Sequence, residues 1–197
     1  MQVDITPTFN MANVKRTSKA ASSAIDKAIV SALNKIAAQG LTGGRKAITT
    51  KYNIKASDIK PAITLLKARK SNPVAIIRAR GAKALPLFKF GGLPKAPVSQ
   101  AGIKAPYRGR RKASAKVLKK GKREKLRHAF VAKLGGNVSI YERVGSKRLP
   151  VRKVMSLGIP VMFEHASVHA IEDYVKAQGQ QIFEHELGHY LKKVSVK

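Results

Sequence analysis

The chain has no cysteine and no tryptophan, and among its 197 residues only ten are acidic. Without thiols there is no disulfide framework, no thiolate zinc site and no cysteine nucleophile. Ten carboxylates leave few candidates for acid–base catalysis, and no paired-carboxylate site, Ser/His/Asp set or phosphate-cradling glycine loop emerges. No run approaches the roughly 18 apolar residues of a membrane span, and Met1 to Asn10 lacks the basic-then-apolar pattern of a signal peptide. The expectation is a soluble protein made in the cytoplasm, with no membrane partner.

Positive charge, by contrast, is abundant. Forty Lys plus Arg set a formal net charge of +30. Such a chain repels itself unless an anion or a partner shields it, and the usual partner is nucleic acid held through its phosphates. Ribosomal, chromatin-like and DNA-conduit proteins all fit; so does a merely basic surface. At 44% hydrophobic residues the composition is one that folds, as one ordinary domain or a domain with an arm.

Met1 to Asn13 is read as a short edge strand or an arm. From Val14 to Gln39, apolar residues recur at Ala21, Ile25, Ala28, Ile29, Ala32, Leu33 and Ile36, the stripe of an amphipathic helix, which Gly40 would end. Its alanines suit close packing against a sheet or a second subunit. Between Gly43 and Lys70 a helix ending near Asn53 and another from an N-cap at Ser57, with Pro61 in its first turn, outline a helix-turn-helix. The exposed set Lys55, Lys60, Thr64 and Lys67 offers no Asn or Gln for reading adenine, which favours a plain helical hairpin. Residues 73–81 and 84–90 read as strands, and residues 91–105 as a loop.

The segment from Lys104 to Arg123 is basic throughout, with no acid. A block of this kind is expected to project towards an anion. Arg108, Arg110, Arg111, Lys112, Lys119 and Lys120 are the candidate nucleic-acid contacts, Tyr107 is a candidate stacking residue, and Ser114 to Lys119 is a candidate strand. Ala129 to Leu134 then reads as a strand, Gly135-Gly136-Asn137 as a turn, and Val138 to Val144 as an alternating strand. Pro150 removes a donor, so Leu149-Pro150-Val151 belongs at a sheet edge. Ser156 to Pro160 turns the chain, and Ser167 to Val194 has a second helical pattern.

Four of these steps carry a resemblance. Ala129-Phe130-Val131-Ala132, Tyr141-x-Arg143-Val144-Gly145, Arg148-Leu149-Pro150-Val151 and Gly158-Ile159-Pro160-Val161-Met162 are similar, in order and spacing, to the signature of the prophage minor tail protein Z family. These are tail completion proteins of long-tailed phages. The Leu85-Pro86-Leu87-x-x-Phe90 step also resembles a family feature. The resemblance runs from Leu41 to Phe163, and Ile159 and Pro160 depart from the Gly-Pro-Ser usual there. It implies a neck protein forming a homo-oligomeric ring, six-fold in keeping with the tail, between head-side connector proteins and the tail terminator or tail tube. The implied setting is the virion tail after assembly in the host cytoplasm, with double-stranded DNA held at the channel by phosphate contacts. The N-terminal helix and the Leu149-Pro150 edge are the candidate subunit contacts.

A competing motif sits near the C-terminus. His185-Glu186-Leu187-Gly188-His189 matches H-E-x-x-H, two histidines one helical turn apart with a potential base between them. A metalloprotease also needs a third ligand, and the extended pattern would put Gly and His where Lys192 and Ser195 stand. Glu164, His165 and His169 lie several turns upstream, within reach only from another subunit. The plainer reading is a charged helix end in which Glu184 and Glu186 face solvent or a neighbour's lysine. No cofactor and no catalytic residue is therefore expected. The alternative from another class is a stand-alone nucleic-acid-binding protein, ribosomal-like or helix-turn-helix.

The fold expected is α+β: a long N-terminal helix, a helical pair, a mostly antiparallel sheet of four to five strands and a C-terminal helix. Residues 1–165 would form a single domain with the basic loop at 104–123, and residues 166–197 the last helix.

Overall fold

The computed structural model describes residues 1–6, 19–91, 113–126, 128–134, 136–147 and 149–195. The fold is α+β, with long helices near both ends and antiparallel strands in small sheets between them. The described residues separate into two compact units, one of Met1–Ala47, Lys60–Arg80 and Phe163–Lys197, the other of Ile48–Ile59 and Gly81–Met162.

The helix α1 (Lys19–Lys51), most of which lies in the first unit, buries Ala21, Ile25, Ala28, Ala32, Leu33 and Ile36 of the apolar stripe expected, with Ala24 and Ala37 beside them, while Ile29 is half-buried. These alanines are covered by the chain itself, so this face is not open to a second subunit. Nor does the helix stop at Gly40. It continues through Gly40, Gly43 and Gly44, although each glycine in a helix interior costs about 1 kcal/mol against alanine. The reason is tertiary. A Cβ on Gly44 would lie 3.0 Å from Ile171 Cδ1 and 3.2 Å from Ser167 Cβ, so the missing side chain is what lets the second long helix come close. The buried Ser167 hydroxyl donates to the Gly44 carbonyl oxygen at 2.8 Å and fastens the contact. That second helix, α4 (Val168–Ser195), buries Ile171, Gly179, Phe183 and Glu186.

The same unit holds a three-stranded antiparallel sheet of β1 (Gln2–Ile5), β2 (Ile63–Leu66) and β3 (Ala75–Ala79), in the order β1-β3-β2. Ala75, Ile77 and Ala79 alternate inward on β3, and Val3 and Leu65 both pair with Ile77. The helix expected from Ser57 to Lys70 is thereby corrected. Only α2 (Ala56–Ile59), a single turn, forms there, and a strand follows. Pro61 explains the break: its ring disfavours the helical region for Lys60, and it supplies no N–H donor. Beyond it Ile63 is buried and Thr64 exposed, a period of two that suits a sheet. The helix-turn-helix reading loses its recognition helix.

In the second unit, β7 (Ala129–Leu134), β8 (Asn137–Arg143) and β9 (Val151–Lys153) form an antiparallel sheet with β8 in the centre. Gly136, at φ +81°, supplies the left-handed step of the hairpin turn. Phe130 and Tyr141 face each other across the first pair with ring centroids 6.4 Å apart, and Arg143 lies over the Phe130 ring. Ser139, Ile140 and Tyr141 are all buried, so both faces of β8 are covered. Pro150 stands just before the edge strand β9, as a residue without a donor should, and its bond to Leu149 is cis.

The remaining strands are short: β4 (Ala84–Pro86), β5 (Ser114–Ala115), β6 (Glu124–Lys125) and β10 (Met155–Leu157). β4 pairs with β10 and β5 with β6, so the strands expected over residues 84–90 and 114–119 are present only in their first part. A single 3-10 turn, Leu87–Lys89, follows β4. Gly158 then starts α3 (Ile159–Ala166), its carbonyl oxygen accepting from the Met162 N–H at 3.1 Å. A Cβ on Gly158 would lie 2.2 Å from the Ala82 oxygen and 2.4 Å from the Lys83 oxygen. Glycine is required here by space.

Candidate nucleic-acid interface

Of the six candidate contacts, Lys119 and Lys120 are described; Arg108, Arg110, Arg111 and Lys112, with Tyr107, lie outside the described residues. The two lysines occupy an exposed turn closed by Gly121 N–H donating to the Leu118 oxygen at 3.2 Å. The turn is fastened to the end of α1. Asn53 N–H donates to the Val117 oxygen at 2.8 Å, and Lys119 N–H to the Lys51 oxygen at 3.0 Å. The second bond satisfies one of the carbonyls that a helix leaves bare at its C-terminus, where Lys51 also suits the negative end of the helix dipole.

Not every cation of the block has the same part. The Arg123 guanidinium donates to the Gly91 oxygen at 2.8 Å and reaches the Ser114 oxygen at 3.5 Å, so it braces backbone. Lys119, Lys120 and Lys122 are exposed and take part in no ion pair among the described residues. They are ammonium groups that an anion can reach. Nothing in this turn aims a bidentate donor at a base edge, so any nucleic-acid contact it makes is to phosphate.

Beside the turn lies a groove of about 440 Å³ lined by Tyr52, Leu87, Ala115, Val117, Leu118, Leu126 and Leu157, with Lys51, Lys122 and Glu124. Sequence reasoning missed it. Its wall joins residues from four separate stretches, and no spacing along the chain announces such a meeting.

The H-E-x-x-H motif resolves differently from expectation. Glu186 does not face solvent or a neighbour; it is 4% exposed, on the side of α4 that meets α1. Ser31 Oγ donates to Oε2 at 2.6 Å, and Lys35 Nζ meets Oε1 at 2.5 Å. Burial pushes its pKa up, but the hydrogen bonds from Lys35, Ser31 and His185, with the charge of Lys35, outweigh that and hold it at about 2. Both carboxylate oxygens are engaged within the chain, so the group is a poor proton acceptor near neutral pH. His185 and His189 are exposed, and the His189 ring stands edge-on to Tyr190. His169 pairs with Glu172 at 3.7 Å on its own helix, and Glu164 and His165 are exposed. Among the described residues no group of three or more His, Cys, Asp or Glu is placed to hold a metal ion.

The family model of prophage minor tail protein Z matches residues 11–195. The chain belongs to that family. Membership supports a structural role in a phage tail, with the virion tail as its setting, and agrees with a protein that is not an enzyme. Comparison with curated proteins and with solved structures gave no match. No helix among the described residues is long and apolar enough to cross a membrane. The signature steps have packing roles in this family member: Phe130 and Tyr141 pair across strands, and Gly158 admits a backbone that no side chain could pass.

Proposed function

We propose that this minor tail protein is the tail completion component that forms a ring at the head-proximal end of the tail and joins tail to head. The family match over nearly the whole chain carries this reading. In a ring, one surface of every subunit repeats about the axis, so a single cluster of exposed lysines becomes a collar of positive charge. Lys119 and Lys120, with Arg108, Arg110, Arg111 and Lys112, would hold the DNA end or channel DNA through phosphates without reading sequence. Subunit contact is assigned to the tip and edge of the β7-β8-β9 sheet, where Val144 is 59% and Leu149 67% exposed. A ring of six, contacting the tail terminator or tube and the head-side connector, suits the symmetry of a tail.

The test is quantitative mass spectrometry of purified phage particles, with this chain counted against the tail tube protein. A small fixed copy number retained after a high-salt wash is the expected result. Absence from particles, with the chain recovered on ribosomes or host DNA, overturns the reading in favour of a stand-alone nucleic-acid-binding protein.

A further inference from the structure

The groove beside the basic turn has a chemistry that phosphate contact does not use. Its wall is aliphatic, and two leucines at its mouth are left in water, Leu118 at 44% and Leu157 at 37% exposure. Lys51 and Lys122 line it against a single carboxylate, Glu124, and Lys119 and Lys120 stand on the same turn, so the local charge is positive. We propose that this groove is a docking site for a protein segment that presents an apolar side chain flanked by carboxylates.

Three observations select that occupant. A phosphate backbone would satisfy the lysines and leave the leucines wet. A nucleic-acid base would need an aromatic face to stack on, and Tyr52, the aromatic residue of the lining, is only 3% exposed. The positive rim calls for an occupant with carboxylates of its own, which this chain, with ten acids among 197 residues, rarely presents. An acidic segment with an apolar anchor answers both halves of the site: the anchor covers Leu118 and Leu157, and the carboxylates meet Lys122 at the rim. Steering by unlike charge and anchoring by one buried apolar side chain is a common division of labour at interfaces. The site adjoins the proposed DNA contact but is recognised through different side chains, Leu118, Leu157 and Lys122, and neither the DNA contact nor the ring is needed for it.

The experiment uses the full chain and two fluorescein-labelled peptides of equal charge. One carries leucines at helical spacing between glutamates; in the other the leucines are serines. In moderate salt the leucine peptide should bind about tenfold tighter than the serine peptide, as burial of one large apolar side chain implies. Leu118→Asn and, separately, Leu157→Asn should each remove most of that advantage, and Lys122→Ala should weaken both peptides. Melting temperature and affinity for a duplex oligonucleotide should be unchanged by the leucine substitutions. Equal binding of the two peptides would mean ionic attraction alone and would overturn the proposal, as would a leucine advantage that survives both substitutions. Duplex binding with no peptide binding would also overturn it, while leaving the DNA contact standing.

Discussion

Two charged places in this molecule follow opposite rules. On α4, Glu186 is buried against α1 and held by Lys35 and Ser31, so its charge is consumed inside the fold. On the turn after Val117, Lys119 and Lys120 are exposed and take part in no ion pair among the described residues. The first charge stabilises and is spent; the second contributes little to stability and is open to a partner. In so basic a chain the informative group is therefore the rare buried acid. It shows where positive charge is cancelled, and by contrast where it is left over.

The comparison can be broken most strongly at the helix contact that brings Glu186 to its partners. Gly44→Val should cost on the order of 3 kcal/mol, since a branched side chain meets Ile171 and Ser167 where even a Cβ is crowded. Urea unfolding should show a lower midpoint with an unchanged slope.

Removing one partner of the pair should come next. Lys35→Met leaves a buried carboxylate with one fewer donor and should cost about 2 kcal/mol at neutral pH, less than for a fully enclosed pair because the Lys35 side chain is 54% exposed. Adding Glu186→Leu to that variant should recover most of the loss, a non-additivity that a double-mutant cycle would read.

Acid should mimic the same loss. The folded pKa of Glu186, about 2, lies below its ordinary 4.5, so its contribution is complete above about pH 5 and fades as pH falls towards 2. Over that window the unfolding free energy of the parent chain should therefore fall by about 3 kcal/mol relative to that of Glu186→Leu. A constant difference across the window would contradict the pairing.

The smallest effect on stability belongs to the other side of the comparison. Lys119→Ala with Lys120→Ala should change unfolding free energy by less than about 0.5 kcal/mol. If both lysines contact phosphate, the slope of log affinity for duplex DNA against log salt should fall by about 2. An unchanged slope would remove these residues from the interface.

The legibility of the chain followed the range of the forces involved. The β7–β8 hairpin could be read from Ala129 to Arg143 because apolar runs and a glycine turn lie next to one another in sequence. The register of Phe130 with Tyr141 follows from that turn. The stripe from Ala21 to Ile36 was legible for the same local reason. Residues 57–70 misled: Ile59, Ile63 and Leu66 fit a helix, but Pro61 breaks it and pairing with β3 makes Ile63–Leu66 a strand. Helical periodicity at Glu186 correctly placed the residue on a helix and said nothing about which side of α4 meets another element.

The sequence by itself determined the α+β class, the hairpin, the end helices and the great excess of positive charge, because each depends on composition or on neighbours along the chain. Only the tertiary structure decided that α1 passes through Gly40 and Gly44, that Glu186 turns inward to Ser31 and Lys35, and that four distant stretches enclose one groove. Those outcomes depend on which surfaces meet. Burial against another element can outweigh a local preference of about 1 kcal/mol, and nothing within a short window of sequence records that meeting.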